Sequence, residues 1–209
     1  MSGSYSPKGR IGAIVHTLEE SIIAILLGLM TLVTFINVVL RYGFNSQLIW
    51  GLELTLALFA WLVLFGIAYG FKVVSHLGVD AVLNLVGKPA RKGLGVLATL
   101  ACILYAVLLL KGAWDYWANF ANLPATEGRW FPLGFEESFR GKGWYEVESV
   151  PNPGAFKFLE GMFNDGDAYE KLPRLVPYLV LPLSMALLLF RFVQMALAVW
   201  AGRIDRIVA

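Results

Sequence analysis

Four apolar runs of about twenty residues or more decide what this chain can fold into. A bilayer hydrocarbon core about 30 Å thick is crossed by roughly 20 residues of α-helix rising 1.5 Å each. The first run, Ser21 to Leu40, carries no charge and lies between Glu19, Glu20 and Arg41, which places a span at about 21–42. The second, about 49–74, holds one acid, Glu53; the third, about 94–117, has Lys111 and Asp115 near its far end. The fourth, about 175–201, is interrupted by Arg191 and by Pro177 and Pro182, which a membrane helix tolerates where neighbours satisfy the freed backbone. The first run is longer than the apolar region of a cleaved signal peptide and ends in Arg41-Tyr42, so it reads as an uncleaved span.

With 58% hydrophobic and only 15% charged residues, the chain has too little polar surface to coat a globule, and the excess must face lipid. The expectation is an all-α integral membrane protein, a single membrane domain over residues 1–209 with four transmembrane helices. A formal charge of +2, dispersed along the chain, argues against a nucleic-acid partner. The single cysteine, Cys102, lies in an apolar run, has no intramolecular disulfide partner, and reads as packing.

Lys and Arg in short loops mark the cytoplasmic side. Lys8 and Arg10 in the N-terminal tail, Lys72, Lys88, Arg91 and Lys92 against Asp80 between spans two and three, and Arg203 and Arg206 in the C-terminal tail put these three segments inside. Residues 118–174 carry nine acids against six Lys and Arg and belong outside. Both termini are then cytoplasmic, and Arg41 alone breaks the pattern. Val79, Val82, Leu83 and Val86 form an amphipathic stripe too short to cross, which predicts a short interfacial helix after the second span. The outer segment is too long for a structureless loop and should form a small cap or binding element, with a short helix marked by Phe156, Leu159 and Phe163.

Catalytic, metal and cofactor sites need clusters of reactive side chains, and this sequence offers none, so neither enzyme activity nor a cofactor is expected. His16 and His76 fall outside the expected spans, which excludes a haem-bearing four-helix anchor, whose axial histidines must face each other from within the helices. Gly66 and Gly70 form a small-xxx-small pair that marks close helix packing. Arg41 and Glu53 flank a short turn, should lie at similar depth near the outer interface, and are expected to pair or share a polar partner, with Asn37 one turn before Arg41 on the same face. Arg191 lies about 24 Å along the inward-running fourth span, beside Glu19, Glu20 and Lys72. No charge sits at the midplane, and the matched broken-helix halves of a transporter are missing. The residues therefore describe a subunit that supports a transporter better than one that moves a solute.

The stretch Asn37-Val38-Val39-Leu40-Arg41-Tyr42-Gly43-Phe44-Asn45, with Trp50-Gly51-Leu52-Glu53 and Phe59-Ala60-Trp61, resembles the small membrane subunit (DctQ-type) of tripartite ATP-independent periplasmic (TRAP) transporters. Gly66-Ile67-Ala68-Tyr69-Gly70 through His76-Leu77-Gly78-Val79-Asp80 is similar to the same family, most of all to its dicarboxylate branch, and Leu181-Pro182-Leu183 with Arg191-Phe192-Val193-Gln194 is similar to its last helix. The resemblance covers about 21–86 and 172–200, and the outer segment is longer than in compact members. It implies a four-helix subunit of the bacterial inner membrane that joins a large permease subunit (DctM-type), where sodium and substrate sites are held, and that works with a periplasmic solute-binding protein delivering an organic acid. Asn37, Arg41, Tyr42, Asn45, Glu53, Trp61, Gly66, Gly70, His76, Asp80 and Arg191 are then the candidates for subunit interface or structural roles, with membrane lipid as the remaining partner. The competing reading is an inner-membrane scaffold or assembly protein outside any transporter.

Overall fold

The apolar runs form long helices because nothing in them competes with the helical backbone, and lipid offers no other partner for its N–H and C=O groups. In chain order the computed structural model contains α1 (Gly9–Gly43), α2 (Gly51–Lys72), α3 (Lys88–Ala118), β1 (Glu146–Pro151), α4 (Phe158–Phe163), β2 (Lys171–Pro173), α5 (Leu175–Tyr178) and α6 (Val180–Trp200). It describes residues 9–73, 87–123, 126, 129–131 and 145–201. Four helical stretches are long and apolar enough to cross a membrane: Gly12–Gly43, Gly51–Lys72, Gly93–Ala118 and Leu175–Ala198. The first starts well before Ser21, so His16, expected outside the spans, lies inside α1.

The fourth span is broken where its prolines require it. Pro177 falls in the first turn of α5, where a missing N–H costs nothing. Pro182 has no N–H for the Tyr178 carbonyl and its ring crowds that carbonyl, so one helical bond is missing between α5 and α6, while Leu179 itself keeps helical dihedral angles and bonds to Leu175 and Leu183.

The helices touch in the order α1, α2, α6, α3, with α3 lying along α6 and α1 along α2. Near one end α6 meets α3 and α2 through Ala106, Leu188 and Phe192, against which Phe71 stands edge-on at 4.8 Å. Much of each helix remains bare: Phe35, Leu56, Leu97 and Leu104 are all more than half exposed.

At the other end sits a cap. β1 and β2 pair antiparallel, Glu146 opposite Pro173 and Pro151 opposite Lys171, with an irregularity between. That irregularity has a cause in the sequence. Val147 and Val150 are both buried, and a regular strand, alternating every two residues, cannot turn both toward the helices without a bulge. They pack with Leu172 on Trp50 and Leu54, while Tyr145, Leu159 and Tyr169 pack on Trp117, Phe120 and Leu175 at the ends of α3 and α5. The expected helix around Phe156, Leu159 and Phe163 is α4, preceded by a 3-10 turn at Gly154–Phe156, with Leu159 as its buried residue. The expected interfacial helix over 79–86 and the tail residues Lys8, Arg203 and Arg206 lie outside the described residues.

Candidate functional site

Glu53, in the first turn of α2, fastens the cap to the helices. Its Oε1 accepts from the Glu148 backbone N–H at 2.9 Å, and its Oε2 accepts from the N–H and hydroxyl of Ser149 at 2.8 and 2.6 Å. An ionised carboxylate makes strong bonds of this kind, and here it takes two backbone donors and one hydroxyl of β1. Two tryptophans fix the start of the broken span beneath. Trp61 of α2 donates its indole N–H to the Pro177 carbonyl and Trp117 of α3 donates to the Leu175 carbonyl, each at 2.9 Å. A helix interrupted in its second turn is thus held from both sides.

The expected pairing of Arg41 with Glu53 is not found. The connection after α1 runs back alongside it: the Ser46 N–H returns to the Leu40 carbonyl at 3.0 Å, the Leu48 N–H donates to Asn37 Oδ1 at 3.0 Å, and Gly51 lies against Val33 and Asn37. Asn45 makes this reversal in the left-handed region at φ 49°, which asparagine tolerates. A Cβ on Gly51 would meet Leu48 Cβ at 3.2 Å, a tight contact that Leu48 would have to yield to by a few tenths of an ångström, and would touch Val33 and Asn37 at 3.7 and 3.8 Å. Glu53 is therefore level with the residues near Val33, and Arg41 lies about eight residues, roughly 12 Å, further along α1. Arg41 and Tyr42 are exposed, and Arg41 makes no ion pair among the described residues.

At the far end Glu19 of α1 takes two cations from two other helices. Lys72 Nζ of α2 reaches Glu19 Oε2 and Arg191 Nη2 of α6 reaches Glu19 Oε1, each at 2.5 Å, with all three side chains at most 16% exposed. Beside them Tyr69 Oη donates to Glu20 Oε1 at 2.7 Å, and His16 stacks on Tyr69 and approaches Glu20 at 3.5 Å. Arg191 also donates to Gln194 at 3.1 Å. The expected neighbourhood of Arg191 with Glu19, Glu20 and Lys72 is thus assembled by the fold. In α3, Lys111 pairs with Asp115 at 2.8 Å, and Asp115 accepts from the backbone N–H of Thr126 at 2.6 Å and from its hydroxyl.

These charges form two layers. Between Glu53 and Lys72, α2 has no charged residue, and that stretch rises about 28 Å, close to the thickness of a hydrocarbon core. Gly70 is buried, but a Cβ at Gly66 would meet nothing within 4 Å, so the close packing expected there is not made within the chain. His76 and Asp80 lie outside the described residues. Among the described residues no group of three or more His, Cys, Asp or Glu is placed to hold a metal. What the geometry builds is a braced set of helices with a fastened cap and wide bare faces, an arrangement suited to assembly.

The fastening of β1 by Glu53, the Trp117 bond and the Lys111, Asp115 and Thr126 group had no counterpart in the sequence reading. Glu53 was singled out there, but its partners lie 95 and 96 residues away on a strand that no pattern announced. The Lys111 and Asp115 spacing of four was a visible signal for the helical pair.

Comparison with known proteins places these features in a family. The family model described as tripartite ATP-independent periplasmic transporters, DctQ component, matches residues 30–131. A C4-dicarboxylate TRAP transporter small permease protein DctQ from Vibrio cholerae is 40% identical over 200 residues, 96% of this chain and 78% of the relative. Proteins of the same description from Pseudomonas aeruginosa and Rhodobacter capsulatus are 41% and 29% identical, over 47% and 72% of this chain and 60% and 48% of their own lengths. Since the Vibrio relative aligns with 96% of the chain, the cap segment is shared with it and is no departure peculiar to this sequence.

Proposed function

We infer the function from one premise: the chain belongs to the DctQ components of the tripartite ATP-independent periplasmic transporters. It is the small permease subunit of a sodium-coupled transporter for organic acids, and the description shared by its relatives makes C4-dicarboxylates the substrate class. It spans the bacterial inner membrane with both termini in the cytoplasm, supports the large DctM-type permease subunit along its bare helix faces, and presents the cap in the periplasm to help dock the solute-binding protein. The observation that carries this reading is the two-layer placement of charge. Lys72 and Arg191 meet Glu19 beside the last residue of α2, Lys111 meets Asp115 within the last two turns of α3, and the 28 Å of α2 between Glu53 and Lys72 offers no charged group to a solute crossing the bilayer. Asn37, Glu53, Trp61 and Arg191 then serve to fix the shape of the subunit. Arg41, Tyr42, Asn45 and Gly66, exposed or facing open space, are offered to the partner, as are His76 and Asp80 at the cytoplasmic side, while Gly70, buried within the chain, serves its own packing.

Reconstitution tests this. The tagged chain, expressed with its transport system, copurifies with a large permease, and proteoliposomes holding both take up a C4-dicarboxylate when sodium and the binding protein are supplied, while this chain alone takes up none. Uptake by the isolated chain would overturn the subunit reading, and copurification without any permease would return the scaffold reading.

A further inference from the structure

A groove of about 400 Å³ runs along α2 beneath the cap. Leu54, Ala57, Leu58 and Trp61, spaced on one face of α2, form its floor; Leu26 of α1 bounds one side and Phe156 of the cap the other. Every lining residue is apolar or aromatic, and the Trp61 indole N–H is already committed to Pro177. The floor lies wholly within the uncharged stretch of α2. A space of this size is not left empty by a folded protein in its membrane, and water would find no polar partners in it.

Size and charge indicate the occupant. An apolar cavity of about 150 Å³ accepts benzene, so one of about 400 Å³ holds roughly 16 carbons, the scale of one acyl chain. A partner helix 10–12 Å across, laid over the 10 Å from Leu54 to Trp61, would occupy about 800–1,200 Å³. Lys157 directly follows Phe156, is exposed, and makes no ion pair among the described residues. An exposed cation beside the cap wall of an apolar groove complements a phosphate whose chain points into the bilayer.

We propose that this groove holds one acyl chain of a bilayer phospholipid, with the phosphate beside Lys157, so that a resident lipid fills the space between the cap and the first two helices. The proposal rests only on the helices lying in a bilayer. Two measurements on the full chain in its purified membrane complex test it. Native mass spectrometry shows one phospholipid retained per chain after detergent washing, and Ala57→Phe, which fills the groove, lowers that retention at least five-fold while leaving the thermal melt of the helices unchanged. In the unaltered protein, a phospholipid with a diazirine in its acyl chain labels the peptide around Leu54 to Leu58 several-fold more than the one around Leu97 to Leu104, although Leu97, Leu100 and Leu104 are 57–65% exposed. Equal retention by Ala57→Phe, or even labelling of both peptides, would overturn the proposal. So would loss of the large subunit instead of the lipid in Ala57→Phe, which would assign the groove to a protein partner.

Discussion

Glu53 shows how one side chain joins parts of the chain that the sequence keeps far apart. Its carboxylate holds three donors of β1, so Glu53→Ala leaves two backbone N–H groups and a hydroxyl without their partner. The expected cost is about 2–3 kcal/mol, at the lower part of the range because the site is partly exposed and water can substitute. Limited proteolysis should read it as faster cleavage between residues 145 and 174, and Ser149→Ala, which removes only the hydroxyl, should cost about 1 kcal/mol. Since Arg41 stands roughly 12 Å further along α1, Arg41→Ala and Glu53→Ala should act additively on thermal stability, within about 0.5 kcal/mol. The sequence placed Arg41 and Glu53 together because a turn between them was counted as short. It could not show that residues 46 to 50 double back along α1 before α2 begins. Arg191 was legible for the opposite reason, since its depth followed from counting residues along one apolar run.

Among the elements, the four spans were readable because length and hydropathy alone decide them, whereas the cap was not. β2 has only three residues, and β1 breaks its alternation at the bulge between Val147 and Val150, so neither carries a usable period. The broken fourth span depends on its neighbours. Trp61→Phe and Trp117→Phe should each cost about 1 kcal/mol and speed amide exchange in α5, because each keeps the ring but removes the indole donor to a carbonyl of the first turn, the Leu175 carbonyl keeping only the Leu179 N–H. At the far end Glu19 joins α1, α2 and α6. Glu19→Ala should lower the stability of the purified chain by about 3–5 kcal/mol, since Lys72 and Arg191 are then left together, largely buried and uncompensated, while Glu19→Gln, which still accepts hydrogen bonds, should lower it less.

For the whole molecule, orientation is the first quantity to measure. With Cys102 replaced, a membrane-impermeant thiol reagent applied to intact cells should label Phe158→Cys, a site 61% exposed on the cap, and should not label Ser6→Cys; the reverse pattern would turn the subunit over. The order of helix contacts has a different consequence, for how the chain is made. α1 meets α2 in a helical hairpin complete once residue 72 has been synthesised, but α3 rests chiefly on α6, the last element to emerge. β1 likewise precedes the strand and helix that cover it by some twenty residues, and waits for Lys171 to Pro173 before its own partner exists. Until the ribosome reaches the fourth span, therefore, the nascent chain holds a finished hairpin, an unaccompanied third helix and a first strand without its partner. That third helix, apolar from Gly93 to Ala118, then stands without α6 for the time it takes to synthesise some eighty more residues, from Ala118 to Trp200.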